Sequence, residues 1–427
     1  MAAPSERSVT EPTVGSLLEL EVGAVAGGGG CVGHAPDGRV VFVRHSLPGE
    51  RVVARVTATT SSFLRADAID VLVSSPDRVV PHCPHAGPGR CGGCDFQHVG
   101  LTAQRQLKAF RIAEQLRHLS RIERRVEVEA VAGDTDGLGW RTRVRVAVSR
   151  DGRTGFRRHR SHQLEHVDAC PIASPAVERT GALALSWPGA SELEVVTGDR
   201  GEAFVAATPR GRDLAAPPGL EAGLVVRHKV AHPPGVVHTH VEGHAFRISP
   251  GVFWQVHAGA PRALLAAVLA LAGECRGAAV VDLYAGAGLF SVALAHAVGA
   301  DGSVLAVERD PRACTDLRHN AAGLDSLEVL EAGVTPELVE TSIGRPRLVV
   351  LDPVREGAGT GVMRALGTHA STIDRLVYVS CDVTSFARDA RVLLDAGWDL
   401  CVVRAFDIFP MTEHVEVVAS FEPPAGS

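Results

Sequence analysis

The sequence predicts an α/β protein whose C-terminal part is a doubly wound, Rossmann-like domain, preceded by a small N-terminal β-barrel and a β-rich middle section. Three observations carry this. Val280-Val281-Asp282-Leu283 is an apolar run that leads into a Gly286-x-Gly288 turn, and an apolar helical pattern from Phe290 to Val298 follows at once. That is strand, tight turn and helix, the first unit of a doubly wound sheet, with its ligand crevice at the strand's carboxyl end. Val304-Leu305-Ala306-Val307 is a second apolar run, and it ends in Glu308, where a ribose-binding carboxylate belongs. Between Leu17 and Val73 short Val-rich runs alternate with glycine turns, the spacing of an oligonucleotide-binding type of barrel. The expected domains are 12–74, 75–240 and 241–427.

With 427 residues the chain holds two or three domains and a sizeable core. It is 45% hydrophobic, which excludes a disordered chain. No apolar run reaches the length of a membrane span, and the N-terminus lacks an apolar signal core, so no membrane association and a cytoplasmic location are expected. The formal net charge is -6, so a nucleic-acid site has to be a local patch. Nine cysteines are present, and three crowd between Cys83 and Cys94. In a cytoplasmic chain that pattern argues for a metal or cluster over disulfides.

In chain order, residues 1–12 read as a loose tail. Leu18 to Val22, Val40 to Val43, Arg51 to Val56 and Ala66 to Val73 read as barrel strands, with turns at Gly27 to Gly30 and Pro48-Gly49. Cys83-x7-Cys91-x2-Cys94 then puts three thiols on one Gly-rich loop, and Cys170-Pro171 offers a fourth. Four thiolates fit a [4Fe–4S] cluster. They also fit zinc, although structural zinc usually takes two Cys-x2-Cys knuckles and only one is present. Leu101 to Leu119 has helical periodicity.

From Trp140 to Arg160 there are eight arginines and one acid. Alternation of Arg141, Arg143 and Arg145 puts three guanidinium groups on one strand face, suited to RNA phosphates. An ordinary solvated strand face is the alternative. Residues 172–240 read as β-like. An Ala/Leu-rich helix from Pro261 to Ala272 leads to the glycine turn. The turn lacks the third glycine of a dinucleotide fingerprint, so S-adenosylmethionine fits the turn and Glu308 better than NAD.

Further apolar strands end at Asp352 and at Ser380-Cys381, and a Val-rich strand closes the chain after Glu416. Carboxyl ends of parallel strands share one rim, so Gly286, Glu308, Asp352 and Cys381 are expected to face one crevice. A cysteine in that place is a candidate nucleophile, and Glu416 is a candidate general base. His414 is the competing base, expected on the same strand face as Glu416.

The chain resembles the RNA uracil-C5 methyltransferase family, the iron–sulfur kind that makes 5-methyluridine in rRNA or tRNA. The N-terminal run Gly27 to His34 followed by Pro48-Gly49-Glu50 resembles a TRAM domain. The other matching elements are the four cysteines with Cys91-x2-Cys94-x2-Gln97-His98; Gly155-Phe156-Arg157; Phe253-x-Gln255-Val256; Asp282-Leu283-Tyr284-x-Gly286-x-Gly288; Asp352-Pro353-x-Arg355-x-Gly357; Ser380-Cys381 with Ala387-Arg388-Asp389; and Asp407-x-Phe409-Pro410-x-Thr412-x-His414-Val415-Glu416.

The resemblance implies that Gln255, Tyr284, Glu308 and Asp352 hold S-adenosylmethionine, that Cys381 adds to uracil C6, and that Glu416 removes the C5 proton. Arg157 joins the RNA-binding set, and a monomer acting on RNA is expected. Four positions depart from the family pattern: Val354 stands for a proline, Asp382-Val383 for Asn-Pro, and Leu289 for an asparagine. Two other readings share the motifs. One is an iron–sulfur RNA-binding protein with a degenerate site; the other is a small-molecule methyltransferase.

Overall fold

The computed structural model describes residues 11–211, 214–369 and 371–424. Most of the expected N-terminal tail, residues 1–10, lies outside the described residues. The chain divides into two compact units. The first is Met1–Leu107, Phe156–Glu165 and Pro410–Glu413; the second is Lys108–Gly155, His166–Phe409 and His414–Ser427. The middle section expected as one domain over 75–240 is therefore shared between them.

The first unit is built on β1 (Leu17–Glu21), β2 (Cys31–His34), β3 (Val40–Arg44), β4 (Arg51–Thr59) and β5 (Phe63–Val73), in the order β1-β4-β5-β3-β2. Burial alternates along β1, which hides Leu18 and Leu20 and exposes Leu17, Glu19 and Glu21. That period of two gives the sheet one apolar face, and Leu20, Val41, Val43, Val52, Ala54 and Leu64 pack there. Gly23 N–H donates to Val32 O (2.7 Å) and Val32 N–H to Ala24 O (3.0 Å), which ties the end strand β2 to the chain just past β1.

Glu50, wholly buried after the Pro48-Gly49 turn, accepts from the Leu47 and Ser75 amides and from Arg78 at 2.6 Å. Burial acts to raise its carboxyl, but Arg78 and the two amides outweigh burial and hold it below the usual range.

The helix expected from the 101–119 periodicity is α1 (Leu101–Gln115), continued by a π-helical turn over Leu116–Ser120. The next strands are β6 (Val128–Ala130), β7 (Arg143–Val148), β8 (Thr154–Arg157) and β9 (Leu164–His166). After the short helix α2 (Pro175–Arg179) come β10 (Ala190–Thr197), β11 (Ala203–Pro209), β12 (Gly223–Val226) and β13 (Lys229–His232). Seven of these strands form a sheet in the order β13-β12-β11-β10-β7-β8-β9, and β14 (Val237–Val241) pairs with β15 (His244–Ile248) as a hairpin.

The C-terminal sheet carries the site. Its strands are β16 (Ala279–Leu283), β17 (Ser303–Glu308), β18 (Leu327–Glu331), β19 (Leu348–Leu351), β20 (Arg375–Ser380), β21 (Asp399–Asp407) and β22 (Glu416–Glu422). Its helices are α3 (Ala260–Ala272), α4 (Leu289–Val298), α5 (Pro311–Asn320), α6 (Pro336–Thr341), α7 (Thr360–Thr368) and α8 (Val383–Asp395). The order is β18-β17-β16-β19-β20-β22-β21-β6, with β22 antiparallel to both β20 and β21.

Alternate residues of these strands face two separate cores. Val280, Val304, Val350 and Val377 pack with α3 and α4, whereas Val281, Val349, Leu376 and Tyr378 pack with α7 and α8. Burial on both faces is why these strands read as unbroken apolar runs. The edge strand β6 has no such signature: its three residues, Val-Glu-Ala, none fully buried, pair parallel with Ala405 to Asp407. Among the described residues no helix is long and apolar enough to cross a membrane.

The two turn glycines differ in purpose. A Cβ on Gly286 (φ +56°) would meet nothing within 4 Å, so its side-chain position is open. A Cβ on Gly288 (φ +94°) would lie 2.2 Å from Leu317 Cδ1, so β16 and α4 can join α5 only over a residue without a side chain. Gly288→Ala is expected to destabilise the protein by about 2–3 kcal/mol through overpacking and a left-handed backbone. Denaturant unfolding checks this, and an unchanged midpoint would show that the helix simply shifts.

Candidate functional site

Strand register, read residue by residue, assembles one rim. Leu283 pairs with Val307 on one side and Leu351 on the other, and Leu351 pairs with Tyr378. One step past these pairs stand Tyr284, Glu308 and Asp352, as the shared-rim argument requires. Cys381 follows the last residue of β20. Ser380 pairs with Val417 on antiparallel β22, so the next antiparallel step sets Cys381 opposite Glu416.

Cys381 is half-buried, whereas Glu416 is 2% exposed. Asp382 N-caps α8: its Oδ1 accepts the Ser385 amide at 2.8 Å. Asp and Asn cap equally well, so the departure at 382 preserves the local structure.

Three acidic groups crowd this end of the sheet. Burial, then Glu416 and Asp352, push the Cys381 thiol up to about 12, against the pull of Arg355. Burial and then Asp352 hold the Glu416 carboxyl well above the carboxylate range, again opposed by Arg355. Asp352 is raised by burial and by Asp282. At neutral pH the crevice therefore holds a thiol and at least one neutral carboxyl group. His414 lies outside β22, contrary to the expected shared strand face, with its ring against Phe409 (centroids 6.1 Å). Burial, then Arg355, Lys108 and Arg111, push it down to about 4, so its imidazole is neutral.

The cofactor end is equally specific. Glu308 Oε2 accepts the Gly286 amide at 2.9 Å, and Oε1 accepts those of Arg309 and Asp310, both at 2.7 Å. The carboxylate thus braces the glycine turn as well as standing at its rim. Tyr284 adopts φ +66°, a left-handed backbone that marks the start of the turn. Burial pushes its phenol up to about 12. Asp282 is wholly buried; one carboxylate oxygen bonds Ser291 Oγ, and Oδ1 has no partner. Gln255 is 7% exposed, and its segment is fixed by the Thr142 amide on Val256 O (2.8 Å).

The arginine strand is less uniform than alternation implies. Arg141 precedes β7 and donates to Arg143 O at 3.0 Å. Arg143 forks onto Glu194 (2.9 and 3.0 Å) and donates to Val252 O, three residues from Gln255. Arg145 is exposed but shares Glu194 and approaches Glu192. Two acids of β10 thus offset the face that the sequence presents as purely cationic. Arg157 is exposed, 3.0 Å from His162.

Cys83, Cys91 and Cys94 belong to the first unit and Cys170 to the second, all half-buried. Gln97 Nε2 donates to Cys94 Sγ at 3.6 Å. Among the described residues no group of three or more His, Cys, Asp or Glu side chains is arranged to hold a metal ion.

Two site residues were not singled out as such from the sequence. Arg355 is the cation that opposes the upward shifts of Cys381 and Glu416 and, by repulsion, adds to the downward shift of His414; its signal was its place in the Asp352 motif. Asp282 could have been found as a carboxylate inside an apolar strand.

Residues 11–69 match the TRAM domain. An RNA methyltransferase of Streptomyces coelicolor is 41% identical, over 98% of this chain and 97% of its own. The 23S rRNA (uracil(1939)-C(5))-methyltransferase RlmD of Alkalilimnicola ehrlichii is 33% identical, over 90% of this chain and 92% of its own. The crystal structure of Pyrococcus abyssi tRNA (uracil-54, C5)-methyltransferase with S-adenosyl-L-homocysteine superposes with a TM-score of 0.72 at 22% identity, covering 94% of this chain and 99% of that one; it shares the fold. The fold and crevice define an α/β methyltransferase. The chain belongs to the RNA uracil-C5 methyltransferase family and is an enzyme.

The buried thiol gives a direct test. Alkylation of Cys381 by iodoacetamide in the cofactor-free enzyme, followed by peptide mass spectrometry, is expected to stay slow through pH 10. A rate that rises with a midpoint near the ordinary cysteine value of about 8.5 would show that burial and the neighbouring carboxyl groups do not govern it.

Proposed function

We propose that the enzyme methylates C5 of a uridine in rRNA or tRNA, with S-adenosylmethionine as methyl donor. The observation that carries this reading is the strand register that sets Cys381 against Glu416 beside Asp352 at the cofactor rim. Residues 12–74 and 75–240 serve RNA binding, and 241–427 serve catalysis, in a cytoplasmic monomer.

The residues at the rim suit the donor. Gly286 leaves its side-chain position open, Asp282 Oδ1 lacks a partner, and Glu308 stands at the strand end. Gln255, Tyr284, Gly286, Glu308 and Asp352 are the proposed holding residues. When bound, S-adenosylmethionine supplies an electrophilic methyl group on a cationic sulfur.

Cys381 Sγ, its proton released to solvent, bonds to uracil C6, and the C5–C6 electron pair moves through C5 towards O4 as an enolate. C5 then takes the methyl group. Glu416 accepts the C5 proton, the pair returns to C5–C6, and the C6–Sγ bond breaks. Burial raises the affinity of Glu416 for that proton, and Arg355 holds its carboxylate form within reach. The target base has to leave its stack to enter such a crevice.

Of the proposed RNA contacts Arg141, Arg143, Arg145 and Arg157, the exposed Arg145 and Arg157 suit phosphate best, and Arg143 chiefly fixes the Gln255 segment. Cys83, Cys91, Cys94 and Cys170 are the proposed ligands of a [4Fe–4S] cluster with a structural role. Their number and spacing support it, and no catalytic step uses it. Anaerobic purification is expected to give brown protein with iron and sulfide near four each per chain. Zinc without sulfide would replace this assignment.

The mechanism is tested with RNA containing 5-fluorouridine, which has no removable C5 proton. Enzyme and RNA are expected to stay covalently joined after methyl transfer. Cys381→Ala should lose both adduct and turnover, and continued methylation by it would overturn the covalent route. Glu416→Gln should accumulate adduct on ordinary RNA, with turnover down by about 10²–10⁴-fold. Normal turnover would reassign the base to His414 or water.

A further inference from the structure

Asp389 lies eight residues past Cys381 on α8, wholly buried, and no step above uses it. Its hydrogen bonds converge on the loop after β19. Oδ2 accepts the amides of Ala358 (2.8 Å) and Gly359 (3.2 Å) and the hydroxyl of Tyr378 (2.8 Å). Oδ1 accepts Nε and a terminal nitrogen of Arg388 at 3.0 and 2.9 Å, and that guanidinium also donates to Glu356 O at 2.6 Å. Gly357, at φ +81°, is moulded to this contact: a Cβ there would lie 2.5 Å from Asp389 Oδ2 and 2.7 Å from the Arg388 guanidinium.

This loop carries Asp352 and Arg355, two of the four charged groups that act on Cys381. Helix α8 therefore does two things. Its N-terminal end follows directly from the nucleophile, capped by Asp382. About two turns further on it grips the loop that bears the opposing charges. We propose that Asp389 is a positioning residue: by clamping residues 356–359 it fixes Asp352 and Arg355 relative to Cys381 for the chemical step. This rests on the methyl-transfer reading of the crevice.

A buried aspartate could instead serve only the fold, and the two roles separate experimentally. Asp389→Asn keeps the shape but cannot accept from both the loop amides and Arg388. Gly357→Ala attacks the same contact from the loop side. Amide hydrogen exchange at Ala358 and Gly359 reads the clamp without any activity. Steady-state kinetics and RNA affinity read its consequence.

For each variant the two amides should lose protection. The kcat should fall by ~10–100-fold, as for a catalytic group displaced by about 1 Å, while RNA Kd stays within about twofold. Combining the two substitutions should cost little more than the worse one alone, since both break one contact. Unchanged protection would overturn the clamp. An unchanged kcat, additive losses, or kcat and RNA affinity falling together would overturn its positioning role. A wild-type enzyme that transfers no methyl group to uridine would fail the functional reading instead, with amide protection still deciding the clamp.

Discussion

The structure turns on the burial of acidic groups at one end of the C-terminal sheet. Asp282 near the end of β16, Asp352 just past β19 and Glu416 at the start of β22 lie at the same end of the sheet as Cys381, and all three carboxyl groups are buried. Such a cluster is costly when every member is ionised. The protein meets the cost in two ways: it leaves carboxyl groups protonated, and it brings in Arg355. A crevice with an excess of buried acid is also a natural seat for a cation, which fits a sulfonium donor better than a neutral one. The same charge that holds the thiol protonated would be relieved as a cationic ligand entered.

Around this group, ordinary backbone chemistry does most of the positioning. Glu308 accepts the Gly286 amide of the glycine turn and the amides of Arg309 and Asp310 that follow it, so the turn and the end of β17 hold one another in place. Asp382 starts α8 directly after Cys381. Two departures from the family pattern, at Asp382 and Leu289, fall where the structure absorbs them. An aspartate caps a helix as an asparagine does, and Leu289 packs into the core at the start of α4. Val354 is 60% exposed beside Asp352 and Arg355, and nothing in the structure explains the replacement of proline there.

Much of this was legible in the residues. The strands β16, β17, β19 and β20 are buried on both faces, so they appear as apolar runs, and the rim follows from where each run stops. Alternation in β1 and the turn at Pro48-Gly49 similarly reveal the N-terminal sheet. What was hidden depended on partners distant in sequence. β6 has three residues and gains its strand character only from β21. The ion pair of Arg143 with Glu194, 51 residues away, is invisible to a local reading. His414 looked like a strand residue because β22 begins two positions later than alternation suggested. The middle section read as one domain because composition cannot show where a chain crosses between compact units.

The pairing of β6 with β21 has a consequence for how the molecule is made. Glu129 meets Arg404 in a forked ion pair across 275 residues of chain, and β22, which bears Glu416, lies inside β21 in the sheet. A strand translated in the first third of synthesis thus waits for a partner from the last few dozen residues. Long-range pairings of this kind close late and slowly, because the loop entropy is lost before the contacts form. Glu416 therefore comes opposite Cys381 only once residues 399–422 have been made and paired.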